Sequence, residues 1–484
     1  MTLNKKEKTT ILSNIKWLTI SKIIVYLLSI ITITLIPRYL GVEGYGQLNY
    51  VLSFVTLFTI IGDLGISTYC IRSVSKDNRR ANKYFNNLII FKFLLISLFL
   101  LFVFLFSRII PKNSITKQLI LIYAIGVLFS ILSNFSLSFY DAFQKLRYRA
   151  IYEIIIKLSY TIGILIVIFF NYKIFGIVVA YALAFVFGFI FLYFNLNKII
   201  KIKPIFDKKF IKKTIIFSSP FILTSIFWTI YFSMDRVFIS HFIDNYSVGL
   251  YSIAYTFIGF LIGIMAILHN TFLPAMSNLS KNKQKLGVVV KRYLQMIYLF
   301  SIPATIGGIY LVKRIISLVF GSQYLAGQMS FSLILFFFLL NSVGMVNYYL
   351  LITNHFEKFS VKLLGIASIT NIFLNIIFIP IFGIIGAAIT TLISESIIFI
   401  GSYDLIRKKI LEINYFKPMI YPLIGSILML IGLIMFDLIF PKGILFNHFD
   451  VLFSIGFGFI IYILFLFFTK VITISKIKEI MGIK

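Results

Sequence analysis

The 484-residue chain reads as an all-α integral membrane protein of about 14 transmembrane helices, built as two parallel-repeat six-helix lobes plus two C-terminal helices. Composition is the first observation behind this. Hydrophobic residues make up 60% and charged residues 13%, whereas a soluble domain is about half apolar and a quarter charged. Lipid must therefore solvate much of the surface. The second observation is a series of apolar runs of about 20 residues, enough to cross a bilayer as helix. These runs are continuous, whereas barrel strands are short and alternate. The third is that basic residues collect between the runs and favour alternate loops.

The runs lie at about 15–36, 47–70, 88–107, 118–139, 154–170 and 174–194, then 214–239, 249–273, 293–312, 328–351, 363–380 and 383–403, and last 418–440 and 451–469. Thirty-five Lys and Arg, with Lys157 counted among them, fall at one set of ends and nine at the other. The positive-inside rule then predicts cytoplasmic N and C termini. A net charge of +30 does not indicate nucleic acid, because it is spread over these loops. The first run is too long for a signal-peptide core and lacks a small-residue cleavage site, so it is expected to be retained. Cys70 is the single cysteine, which leaves no internal disulfide and no cysteine metal cluster.

The chain repeats. YGQLNYVLSF at 45–54 matches VGLYSIAYTF at 248–257, an offset of 203, and KIFGIVVAYALAFVF at 173–187 matches PIFGIIGAAITTLIS at 380–394, an offset of 207. Both shifts span six segments, an even number, so the copies share one orientation. The expected organisation is an N-terminal lobe at 1–213 that includes a basic inter-lobe stretch, a C-terminal lobe at 214–403, and the last two spans with a basic tail at 404–484. The segment from Asn371 to Ser396 is an apolar hairpin with a turn at Pro380 to Gly383.

Ionisable residues inside such runs are costly and mark function or a paired structure. Glu395 stands twelve residues into its run, about 18 Å along the helix. Either it is a cavity carboxylate or it makes a buried structural hydrogen bond. It faces Gly188 at the 207 offset, so it belongs to one repeat only. Lys22 and Lys92 lie within runs. Lys92 reads as a lysine that snorkels to the interface, and Lys22 as either a snorkelling or a cavity residue. Asp63 is a cavity group or an ion-pair partner. Asp235 and Arg236 form a gate pair or an interfacial cap, and Arg38 an anion contact or an anchor. His269 is a ligand or a packing residue. Trp228 and the Tyr348–Tyr349 pair offer rings that stack on sugars or face lipid and core. The chain has no GxxxxGK[ST], HExxH or GxSxG motif, so ATP hydrolysis, zinc proteolysis and serine hydrolysis find no support. No catalytic or metal-binding residues are expected.

IPRYLGVEGYGQLNY (36–50), GDLGIS (62–67), SMDRVFISHFIDNYSVGLYSIAY (233–255), LPAMSNL (273–279) and LNIIFIPIFGIIGAAITTLISE (374–395) occur in that order. With the 6+6+2 layout, the chain resembles the oligosaccharide flippases of bacterial surface-polysaccharide pathways. Their superfamily also holds the MATE-type multidrug exporters and the lipid II flippase. The resemblance implies a multi-pass protein of the bacterial cytoplasmic membrane that flips an undecaprenyl-pyrophosphate-linked repeat unit for O-antigen or capsule synthesis, through a cationic cavity and by alternating access. Expected partners are that lipid-linked oligosaccharide, membrane lipids, and a polymerase with other assembly proteins. No cofactor is expected, and H⁺, Na⁺ or the membrane potential would supply coupling. Lys22, Arg38 and Arg236 are the head-group candidates; Asp63, Asp235, His269 and Glu395 are the gating or coupling candidates. The alternative is a cation-coupled drug exporter on the same fold, for which acidic residues are available.

Overall fold

The computed structural model describes residues 5–110, 112–439 and 450–471, with no side-chain detail for 5–12 and 15. Lys442 and the basic tail residues Lys476, Lys478 and Lys484 lie outside the described residues. Among the described residues there are fourteen α-helices: α1 Lys5–Asp63, α2 Ile66–Val74, α3 Ala81–Ile109, α4 Ser114–Ala142, α5 Leu146–Phe169, α6 Lys173–Leu196, α7 Lys208–Phe242, α8 Asn245–Leu279, α9 Lys283–Tyr310, α10 Val312–Val319, α11 Gln328–Thr353, α12 Glu357–Lys409, α13 Phe416–Ile439 and α14 Asp450–Phe468. No strand occurs among the described residues. Side chains cap several helix starts. Asn113, Asp207 and Asn282 accept from the backbone N–H of Thr116, Phe210 and Lys285, satisfying donors that a helix end leaves open.

Among the described residues eleven helices are long and apolar enough to cross a membrane, or twelve if α9 and α10, bent by 84°, form one broken span. Two of these helices each contain two arms. Helix α1 breaks at Gly41 (φ 69°, ψ 178°) and α12 at Gly383 (φ 62°, ψ −141°), backbone conformations that favour glycine. Taking each arm as a segment restores the fourteen runs seen in the sequence. The arms of α12 fold back on each other. A Cβ at Gly386 would lie 2.2 Å from the Phe378 carbonyl oxygen, and Thr390 hydrogen-bonds Asn375, which donates to Asn371 at 2.9 Å. The expected turn is therefore present, with the break concentrated at Gly383 and Pro380 still helical.

The chain divides into two compact units, residues 1–249 and 250–484. The division falls at the first turn of α8, because α7 packs on α1 and α2. The core of the first unit includes Phe85, Phe135, Phe139, Leu192 and the buried Cys70. Within this unit the second arm of α1 crosses the start of α8 at two glycines. A Cβ at Gly46 would lie 1.7 Å from the Asn245 carbonyl oxygen, and one at Gly249 would lie 2.1 Å from that of Val42. Gly46 and Gly249 are equivalents at the 203 offset, and so are Val42 and Asn245. The crossing is thus reciprocal about a local two-fold, in the register of the sequence repeat. In the second unit, Arg314 of α10 pairs with Asp437 of α13 and donates to Ser454 of α14 at 3.0 Å, and Tyr310 donates to the same carboxylate at 2.6 Å. Large apolar side chains such as Phe169 and Ile109 are mostly exposed, as suits a lipid-facing surface.

Candidate functional site

Lys22, Arg38, Asp63, Asp235 and Arg236 fall in the first unit, His269 and Glu395 in the second. The structure gives them different surroundings.

Lys22 lies in the first arm of α1 and pairs with Glu153 of α5 at 2.9 Å. The two helices run in the same direction. Further along them, the Lys157 ammonium of α5 donates to the buried Thr32 hydroxyl at 2.8 Å and lies 5.6 Å from the Tyr160 ring centre. Tyr39 then reaches Asn171 at the far end of α5. Lys157 is half-buried and stands at the middle of α5, about 16 Å from the helix start at 1.5 Å per residue. Counting it with the loop cations is therefore corrected, since it lies at membrane depth. Among the described residues its ammonium meets only neutral groups, the Thr32 hydroxyl and the Tyr160 ring. Two separate contacts, Lys22 with Glu153 and, further along, Lys157 with Thr32, thus place two cations and one carboxylate along the α1–α5 pair. Sequence reasoning missed Glu153 altogether. The signal was the EIIIK string at 153–157, whose acid and base are four residues apart on one helix face.

Asp63 is held by Lys92. The Lys92 side chain is fully buried, so the snorkelling reading is corrected. Its ammonium pairs with the Asp63 carboxylate and donates to the carbonyls of Gly62 at 3.1 Å and Asp63 at 3.3 Å. The Phe135 ring lies 5.4 Å away. The reason is local. Leu64 and Gly65 take left-handed φ of 48° and 65°, breaking the helix between α1 and α2. Such a break leaves carbonyls without helical donors, and Lys92 supplies one. Ser67 completes the turn by donating to Asp63. The GDLGIS stretch is thus a broken helix with a lysine plug.

Arg38 is exposed, three residues before the Gly41 break. Asp235 is buried, and the neighbouring Arg236 donates to Ser53 of α1 at 3.2 Å. In the second unit, buried His269 hydrogen-bonds Tyr293 of α9 through Nδ1 and lies near the Tyr349 ring. Glu395 is buried and accepts from Asn341 of α11 at 3.2 Å. Gly344 leaves room beside it, since a Cβ there would stand 3.2 Å from the carboxylate. Trp228 and Tyr348 are exposed. Among the described residues no group of three or more His, Cys, Asp or Glu is arranged to hold a metal ion.

The comparisons agree with this architecture. A family model described as polysaccharide biosynthesis protein matches residues 11–280. An uncharacterized membrane protein, MJ1068, of Methanocaldococcus jannaschii is 32% identical over 200 residues, 39% of this chain and 37% of that protein. An uncharacterized membrane protein in the cps region of Klebsiella pneumoniae is 25% identical over 279 residues, 55% of this chain and 56% of that protein. The chain thus spans about a third to just over half of these relatives. Among solved structures, the lipid II flippase MurJ in an inward closed conformation aligns with a TM-score of 0.80 at 20% identity, covering 94% of this chain and 99% of that one. An inward-facing multidrug resistance MATE family transporter of the MOP superfamily aligns with a TM-score of 0.62 at 14% identity, covering 79% and 94%. These likenesses establish a multi-pass membrane protein with the fold of flippases and MATE transporters.

Proposed function

This chain belongs to the polysaccharide biosynthesis protein family, and from that membership and its transporter fold we propose that it flips an undecaprenyl-pyrophosphate-linked oligosaccharide repeat unit from the inner to the outer leaflet of the cytoplasmic membrane. The observation that carries the chemical part of this reading is the Lys22–Glu153–Lys157 group on α1 and α5. A half-buried cation at mid-helix that meets only a hydroxyl and a ring is electrostatically incomplete. A pyrophosphate bears about two negative charges, and crossing hydrocarbon unsolvated would cost several kcal/mol for each unsatisfied polar group. Lys157, aided by Lys22, would lower that barrier, while Thr32 keeps the ammonium hydrogen-bonded between cargoes. Glu153 offsets the charge of Lys22, which favours release.

Arg38 and Arg236 are the further head-group contacts in this proposal, and alternating access is the transport mode. With the cytoplasm negative, outward movement of the anion gains about 2.3 kcal/mol per charge per 100 mV. The potential, with or without H⁺ or Na⁺, is then the driving force, and a polymerase of the same pathway is the downstream partner. The position of Asp63 supports a flippase over a cation-coupled drug exporter, because its charge is already matched by Lys92.

The test is reconstitution of the full chain into proteoliposomes with a fluorescent lipid-linked oligosaccharide, scored for leaflet exposure. Lys157→Met and Lys22→Met are expected to slow flipping about tenfold or more, which is about 1.4 kcal/mol of barrier. Wild-type rates in the K22M/K157M double variant would remove this group from the mechanism. Transport of an organic cation without flipping would overturn the function itself.

A further inference from the structure

A second basic site lies away from the groups above, where the start of α9 meets the end of α12 in the second unit. A cavity of about 480 Å³ opens there, lined by Lys283, Gln284 and Gly287 of α9, by Arg407, Lys408 and Lys409 of α12, and by Ile410, Leu411 and Glu412 after it, so that four cations and one carboxylate line it. Its size is in the range of small-ligand pockets. The charge bias of the sequence assigns this end to the cytoplasm.

Two sources of positive potential converge on it. One is the first turn of the 28-residue α9. The Asn282 side chain caps the Lys285 N–H, and the N–H groups of Lys283 and Gln284 lie in the part of a helix that has no intrahelical acceptor. The other is the basic side chains. Among the described residues neither Lys283 nor Lys409 forms an ion pair, and the Arg407 contact to Glu412 is loose at 3.9 Å. Lys408 is the exception, engaged by Asp404 at 2.8 Å. A basic last turn is favourable for α12 by itself. That does not account for a separate helix start and its lysine facing the same cavity.

The surroundings name the source of the anion. Phe416 and Ile420, at the start of α13, are 73% and 47% exposed. Within eight residues of Glu412, the last lining residue, the chain thus passes from exposed basic to exposed apolar side chains, the pattern of the lipid head-group level. Gly287 keeps the wall open; a Cβ there would come to 3.7 Å from Leu411.

We infer that this cavity binds the phosphate-bearing head group of an anionic phospholipid, which bridges α9 to the end of α12 and lies apart from the transported cargo. The phosphate accepts from the α9 N–H groups, Lys283 and Lys409, and the acyl chains lie along α13.

The experiment uses the full chain purified in neutral detergent, with phosphatidylglycerol titrated and counted by native mass spectrometry. K283Q/K409Q removes two unpaired charges, and about fivefold each gives an expected loss of about twenty-five-fold in affinity. Gly287→Leu fills the cavity at unchanged charge and should also abolish retention. K358Q/K362Q, two cations outside the cavity, should change affinity by less than about threefold. An equal loss in K358Q/K362Q and K283Q/K409Q would overturn the site. Equal retention of phosphatidylcholine would overturn the anion, and displacement by millimolar inorganic phosphate would overturn the lipid.

Discussion

Removing either partner of the Lys92–Asp63 pair should destabilise the first unit, and the two losses should differ. The structure sets the order. Lys92 is fully buried, whereas the Asp63 side chain is 31% exposed. In Lys92→Met the remaining carboxylate keeps Ser67 and its partial exposure, and the Gly62 and Asp63 carbonyls lose their shared donor. Unmade buried hydrogen bonds cost about 1–3 kcal/mol each, and partial exposure reduces that, so a total of about 2–3 kcal/mol is expected. In Asp63→Asn a fully buried ammonium loses its carboxylate, and breaking such a pair from the charged side costs about 3–5 kcal/mol. The K92M/D63N double variant should cost less than the sum, by at least about 1 kcal/mol. Thermal inactivation of detergent-purified protein at one fixed heating rate, read by size-exclusion chromatography, provides the assay. At about 2–4 °C per kcal/mol for a unit of this size, D63N should fall further than K92M, by several degrees. If K92M lost more than D63N, or if neither moved the midpoint, the lysine would not be bracing the broken turn.

Further outcomes are expected from the same structure. Gly46→Ala should separate α1 from α8 and lower the melting midpoint, by a cost of about 1–3 kcal/mol or more, with Gly249→Ala matching it because the crossing is reciprocal. Glu395→Leu should cost about 1–3 kcal/mol by stranding Asn341, whereas Glu395→Gln should cost less than about 1 kcal/mol; the comparison is made by the same heating assay. Lys22→Ala should change stability by at most about 1 kcal/mol, since that pair is partly exposed, while flipping in proteoliposomes falls.

The membrane class and the fourteen segments were legible because lipid demands long apolar runs, which are visible in one dimension. The turn near Pro380 to Gly383 was legible because the backbone there needs a residue that tolerates positive φ. The repeat at offset 203 was legible too, and the Gly46–Gly249 crossing shows its physical content. What escaped were partners. Glu153 lies 131 residues from Lys22, and depth along a helix says nothing about which neighbour a side chain faces. Lys92 was read wrongly in its surroundings, because a lysine that snorkels and one that plugs a broken helix look alike in sequence. Lys157 stood in an apolar run, and grouping it with loop cations hid it.

The Arg314–Asp437 contact closes over 123 residues of chain. At about 5–20 residues per second of synthesis, Arg314 waits roughly 6–25 s for its carboxylate. During that interval α10 has nothing on α13 or α14 to hold it. Helix α10 is thus held through Arg314 only after α13 and α14 have been made, so its place in the second unit is set late in synthesis.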